Sequence, residues 1–242
     1  MEKGVLLCFY VVIMSVFASG IKCFIDSSNK RSFLYRRSCC DSCKHLLGLS
    51  DLIPIVSFII SKGRCRYCHT HIPIDIFMYE VVASTLTLLY FIFQEQFIFL
   101  SIFHLVIAVL LSFISIEDVK HFEVVDELFF PLLFCSIIFA IYNFKFFSFY
   151  NFFGLIVLFH ILYFLTRFKM GYGDIKIFCI LALSLNFYEG LYLLIFTFLY
   201  AGGFAVGLLI LNKVKKGSKI ALVPFITLSY LTIILIREAI LW

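Results

Sequence analysis

From residue 5 onward the sequence is a succession of apolar runs separated by short polar breaks. About 20 apolar residues in a row let an α-helix cross the hydrocarbon layer of a bilayer. Within that layer only helices or closed barrels satisfy their own backbone polar groups. The runs cover residues 5–25, 73–93, 97–116, 128–142, 151–166, 175–187, 190–211 and 220–236. Apolar residues make up 63% of the chain, charged residues only 14%, and 32 of the 242 residues are phenylalanine. A soluble domain of this size has no interior large enough to hide them. The expected fold class is an all-α polytopic membrane protein with about eight transmembrane helices. The first run reads as a retained span, not a cleaved signal, because no clean small-residue cleavage site is followed by a soluble domain.

Charge sets the expected orientation. Residues 27–71 form the one sizeable polar segment, with eight Lys or Arg against two acids, Asp41 and Asp51. Cytoplasmic loops carry such an excess. Over the four candidate inner loops Lys and Arg number 15, whereas the outer segments hold Lys3, Lys145 and Arg237. The net charge of +5 is therefore a statement about topology and not about nucleic acid, which is not an expected partner. The segment also holds a short apolar stretch, residues 52–60, interrupted by Pro54. It is too short to span, so it should pack or lie at the membrane surface.

Within this segment Cys40-x2-Cys43 is followed, after 21 residues, by Cys65-x2-Cys68. Each pair can hold one side of a tetrahedral metal from a tight turn, and four thiolates suit a closed structural zinc site. A cytoplasmic placement argues against disulfides. Cys39, His69 and His71 adjoin the pairs, and none is expected to bind metal. Cys8, Cys135 and Cys179 lie alone in apolar runs, where cysteine behaves as a small hydrophobe.

Two acidic places stand at the ends of apolar runs: Glu117-Asp118, and Asp174 within Met170-Gly171-Tyr172-Gly173-Asp174-Ile175-Lys176. An acid where hydrocarbon begins is costly and marks a candidate site. Gly171 and Gly173 remove side-chain bulk just before the carboxylate, for a tight turn or close packing. Asp118 and Asp174, brought together, would share a proton. One carboxylate takes a proton from water while the other polarises a peptide carbonyl. No His-Glu-x-x-His is present. Glu117, Glu123 and Glu127 read as anchors at helix ends, and Asp126 as part of the same mouth. Lys176 reads as a surface anchor or a partner for a site carboxylate. Glu80, two turns into its run, needs a polar partner there. His104 and His160 read as hydrogen-bonded bundle residues.

These residues together resemble the type IV prepilin leader peptidase family, membrane aspartic peptidases of pilus, secretion and competence systems. The family's Gly-x-Gly-Asp motif is matched by Gly171-Tyr172-Gly173-Asp174, with Lys176 behind it. Its first aspartate, eight residues before a second, is matched by Asp118 and Asp126, with Val125 where the family has Pro. The knuckle cysteines, Leu52-Ile53-Pro54-Ile55-Val56-Ser57, Gly63-Arg64, Glu80 and Val223-Pro224-Phe225 also fall in register. Lys22 stands where the family has Asn, and Asp41 where it has Pro.

The resemblance implies catalysis by Asp118 and Asp174, support from Gly171, Gly173, Lys176, Asp126 and Glu80, and structural zinc on Cys40, Cys43, Cys65 and Cys68. It implies a first transmembrane helix over 1–26, a small cytoplasmic four-cysteine zinc-knuckle domain over 27–71 between helices 1 and 2, and a seven-helix membrane peptidase domain over 72–242. The implied partners are the lipid bilayer and a single-span prepilin or pseudopilin, whose basic leader is cut at the cytoplasmic face of the bacterial inner membrane. A second implied activity is methylation of the new amino terminus from S-adenosylmethionine. Two readings from other classes stay open at this point. A proton- or ion-coupled transporter would use the same acids as relays but leaves the cysteines unexplained. A membrane assembly factor would use the zinc domain for docking.

Overall fold

The computed structural model describes residues 2–27, 35, 37–93, 99–145, 147–167, 170–211 and 219–240, and these are largely helical. The chain forms two compact units, Met1–Glu95 and Gln96–Trp242.

In the first unit α1 (Glu2–Asp26) packs along α3 (Ile74–Phe93). The two run antiparallel: Tyr10 meets Phe91 at one end, ring centroids 5.3 Å apart, and Lys22 lies 5.5 Å from the Tyr79 ring at the other. Lys22 is buried and pairs with Asp26 at 2.9 Å, one turn on, so the cation is neutralised within its own helix. Between α1 and α3 lie the cysteine pairs, a 3-10 turn at Leu49–Leu52 and a short helix, α2 (Val56–Ile60).

The second unit is built round α4 (Phe99–His121), whose Ile107, Val109, Leu111, Phe113 and Ile114 are fully buried. It packs against α5 (Asp126–Tyr142) and α9 (Val223–Ile240). The others are α6 (Phe149–Leu165), α7 (Tyr172–Leu181) and α8 (Phe187–Ile210). Gly190 permits the approach of α8 to α6, because a Cβ there would sit 2.6 Å from Leu155. A Cβ at Gly202, Gly203 or Gly207 would meet nothing within 4 Å among the described residues. Polar side chains bridge the helices as hydrogen bonding in an apolar interior requires. Ser115 meets Thr227 at 2.7 Å, and His104 Nδ1 meets the Tyr230 hydroxyl at 2.7 Å. His160 Nδ1 lies 2.8 Å from the Ile156 carbonyl.

The expectation of about eight transmembrane helices is overturned. Among the described residues four helices are long and apolar enough to cross a membrane: Leu7–Asp26, Ile74–Ile92, Ile102–His121 and Phe187–Ile210. The discrepancy is one of length. At 1.5 Å per residue the 17 residues of α5 or α6 reach about 25 Å, short of a hydrocarbon core of about 30 Å. The run 175–187 supplies most of α7, whose 10 residues span about 15 Å. It stops in a tight turn at Ala182–Ser184, and an Asn186–Glu189 capping box then starts α8 earlier than the sequence suggests. With four long apolar helices the chain is a multi-pass inner-membrane protein.

Candidate active site and metal centre

The cysteine module is built from two matching turns. Cys40 N–H donates to the His45 carbonyl at 3.0 Å, and Lys44 N–H returns to the Cys40 carbonyl at 2.9 Å. The second turn repeats this 25 positions later: Cys65 N–H to Thr70 at 2.8 Å, His69 N–H to Cys65 at 2.9 Å. In both, the residue after the second cysteine is left-handed, Lys44 at φ 57° and His69 at φ 58°. That reversal turns both cysteines of a pair to one side. Isolated bridges, Cys39 with Leu46 and Arg64 with His71, close each turn.

The four sulfurs of Cys40, Cys43, Cys65 and Cys68 lie within 4.8 Å of one another, and Cys39 is not among them. Zinc–sulfur bonds of about 2.3 Å in a tetrahedron put the sulfurs about 3.8 Å apart. Cys40 Sγ and Cys68 Sγ are 3.7 Å apart, so the donor set fits such an ion. The Thr70 hydroxyl, 3.1 Å from Cys68 Sγ, pulls that thiol down to about 6, whereas Cys43, despite the His45 backbone, is pushed up to about 11 by desolvation and the neighbouring Cys68 and Cys40 thiols. Tyr67 stacks on His45 with centroids 3.6 Å apart, joining the two turns.

In the second unit Asp118 lies near the end of α4 and is 6% exposed. Its Oδ2 accepts from the Val223 N–H at 3.1 Å, at the first residue of α9. The free amides of a helix start are a natural partner for an acid, and Pro224 is favoured at such a start. Sequence reasoning singled out Val223-Pro224-Phe225 without this role.

Asp174 lies in the first turn of α7, with Gly171 as the N-cap. Burial and then the charge of Asp118 push its carboxyl up to about 7, against a hydrogen bond from the Gly171 backbone that works the other way. Neither Gly171 nor Gly173 has a positive φ; the demand on both is room. A Cβ on Gly171 would sit 3.1 Å from Asp174 Oδ2, and one on Gly173 would sit 2.8 Å from Val124 Cγ2. Asp174 faces an open cleft of about 630 Å³ with Leu165, Arg167, Met170, Phe198 and Leu222 on its walls. Among the described residues Arg167 is the one cation in that lining, and the sequence reading had not singled it out for the site.

The remaining candidates separate. Lys176 Nζ sits over the rings of Phe129 and Tyr172, at 5.5 and 5.7 Å. Asp126 is exposed at the first residue of α5. Glu117 is buried beside Asp118, with His121 at 3.8 Å. Glu80 belongs to the first unit, where it is 5% exposed and accepts from the Ile55 N–H at 2.7 Å.

Gly173→Ala tests the packing. The added methyl must move Val124 or the start of α7, at about 1–3 kcal/mol. We expect a lower thermal midpoint and weaker activity, both largely restored by adding Val124→Ala. Wild-type behaviour of Gly173→Ala alone would show that this close contact is not felt.

Comparison with known proteins places the chain in a family. Residues 6–94 match the bacterial peptidase A24 N-terminal domain, and residues 105–206 match the type IV leader peptidase family. The chain belongs to this family of membrane peptidases. Two similar relatives are prepilin leader peptidase/N-methyltransferases of Burkholderia pseudomallei. The strain 1026b protein is 34% identical over 70 residues, and the strain K96243 protein is 33% identical over 70 residues. Each match covers 28% of this chain and 23% of the relative. No solved structure matches the chain.

Proposed function

We propose that the protein is an aspartic endopeptidase that removes the basic leader of a single-span prepilin or pseudopilin at the cytoplasmic face of the membrane. The observation that carries this reading is that Asp174 lines an open cleft, while burial and then the charge of Asp118 push its carboxyl up to about 7. In the proposed reaction Asp174 holds the shared proton and Asp118 is ionised. Asp118 takes a proton from a water whose oxygen attacks the scissile carbonyl carbon, while Asp174 protonates the carbonyl oxygen. The tetrahedral intermediate then collapses. Its C–N bond breaks as a carboxyl returns a proton to the leaving nitrogen, releasing a carboxylate and a new amino terminus. Leu165, Met170, Phe198 and Leu222 give the mixed cleft wall an apolar part that suits the substrate's apolar stem. The flanking Lys120, Arg167, Lys169 and Lys219 support a cytoplasmic site.

Residues 27–71 are proposed as a zinc domain, with Cys40, Cys43, Cys65 and Cys68 as ligands. Zinc there would supply folding energy and no step of the cleavage. N-methylation of the product, with S-adenosylmethionine as donor, is a second proposal. It rests on the name of the Burkholderia relatives, and no residue of this chain is assigned to it.

The pH dependence tests the proton assignment. Asp174 is protonated below about 7 and ionised above it. Cleavage efficiency on a leader-bearing substrate should therefore fall as pH rises through that value. A rate that keeps climbing to clearly alkaline pH contradicts the assignment.

A further inference from the structure

We propose that the Leu49–Ile60 stretch is seated in the interfacial layer of the bilayer, so that the cysteine module rests on anionic lipid and does not hang free in water. Four observations in the first unit carry this. The first is tethering. Because α1 and α3 are antiparallel, the segment between them leaves and re-enters at one end of the pair.

The second is depth. Ile55 N–H is bonded to Glu80, six residues beyond the first residue of the Ile74–Ile92 span. At 1.5 Å per residue that is about 9 Å along the span axis. Phe58 of α2 stacks on Phe77 at 4.5 Å, so α2 lies alongside the first two turns of the span. Amphipathic segments that lie in the membrane plane sit about 5–10 Å into the headgroup and acyl boundary.

The third is the surface presented there. Leu49 is 88% exposed, Ile60 69% and Ile59 61%, with Leu52, Ile53 and Val56 also exposed. Six large apolar side chains in twelve residues leave water readily only for another apolar medium. The fourth is charge. Lys62, Arg64 and Arg66 follow directly and are exposed, a pattern that suits anionic headgroups.

The backbone is committed to this placement. Ile55 has φ 62°, unusual for a β-branched residue, and Val56 N–H closes a three-residue turn onto the Pro54 carbonyl at 2.6 Å. That turn aims the Ile55 amide at Glu80, which holds α2 against α3.

The test uses the full chain with its single tryptophan, Trp242, replaced by Phe, and Ile60→Trp added. The protein is reconstituted in phosphatidylethanolamine–phosphatidylglycerol vesicles whose acyl chains carry bromine either near the carbonyl or near the terminal methyl. At interfacial depth the emission should be blue-shifted and lose roughly half its intensity to the shallow bromines, with less lost to the deep ones. The quenching should weaken when phosphatidylglycerol is left out. Leu49→Trp is the second probe and should behave alike. Water-like, unquenched emission from both probes overturns the proposal. So does blue-shifted emission that no bromine quenches, which would mean that a second copy or another protein covers the face. Quenching strongest from the deep bromines overturns it in favour of full insertion. None of these outcomes depends on peptidase activity.

Discussion

Asp174→Asn and Asp118→Asn should each lower leader cleavage by about a thousandfold or more, because each removes one half of an acid–base pair. Asparagine keeps the shape of the carboxyl but neither gives nor takes the shared proton. The two changes should not add: once the pair is broken, the double variant loses nothing further. Folding should survive both. In Asp118→Asn the amide oxygen can still accept from the Val223 N–H, and Asp174 is only partly buried. Glu117→Gln is the informative neighbour. Glu117 is buried next to Asp118 but faces His121, and its neutralisation should leave most of the rate intact. Substrate processed at the wild-type rate by Asp174→Asn would end the aspartic-peptidase reading. It would return the buried acids to a role as ion or proton relays.

The second large effect concerns zinc. Purified protein should carry about one equivalent, and Cys65→Ser should lose it together with the fold of the module. Metal binding of this type contributes on the order of 10 kcal/mol to folding, so little structure should remain over residues 37–73 without it. Cys65 is the buried member of the set and supplies the best single test. Cys39→Ser is the matched control: Cys39 lies outside the cluster and should keep full metal. Metal retained by Cys65→Ser, or lost from Cys39→Ser, would contradict the ligand set. Brief chelation should leave cleavage running, since no step of it is assigned to zinc.

The four-cysteine cluster was legible in the sequence because its geometry is local. A Cys-x2-Cys turn places its own two sulfurs, and spacing alone shows that two such turns exist. The acids were legible for a different reason: Asp118 and Asp174 stand where apolar runs end, and ionised groups are rare there. The number of crossings was not legible from apolar content. Helix ends are decided by caps and turns, such as Asn186 with Glu189 and the turn at Ala182–Ser184, and these divide hydrophobic stretches without changing their composition. The partner of Asp118 was hidden too. It is a backbone N–H 105 residues away, and a main-chain donor leaves no mark in a sequence. The glycines show both outcomes. Gly173 marks a close contact with Val124, whereas the three near the end of α8 face open space among the described residues. The turn at Ile55 ran against expectation, since β-branched residues avoid positive φ. Glu80, singled out as an acid in need of a partner, is what compensates it.

Cleavage itself is the most direct test of the account. The purified, zinc-loaded wild-type chain in detergent micelles would be given a single-span prepilin with a basic leader, and the product's amino terminus would be read by mass. The account predicts one cut, between leader and apolar stem, abolished by Asp174→Asn and unaffected by serine-peptidase inhibitors. An intact substrate after prolonged incubation with folded, metal-loaded protein would contradict it.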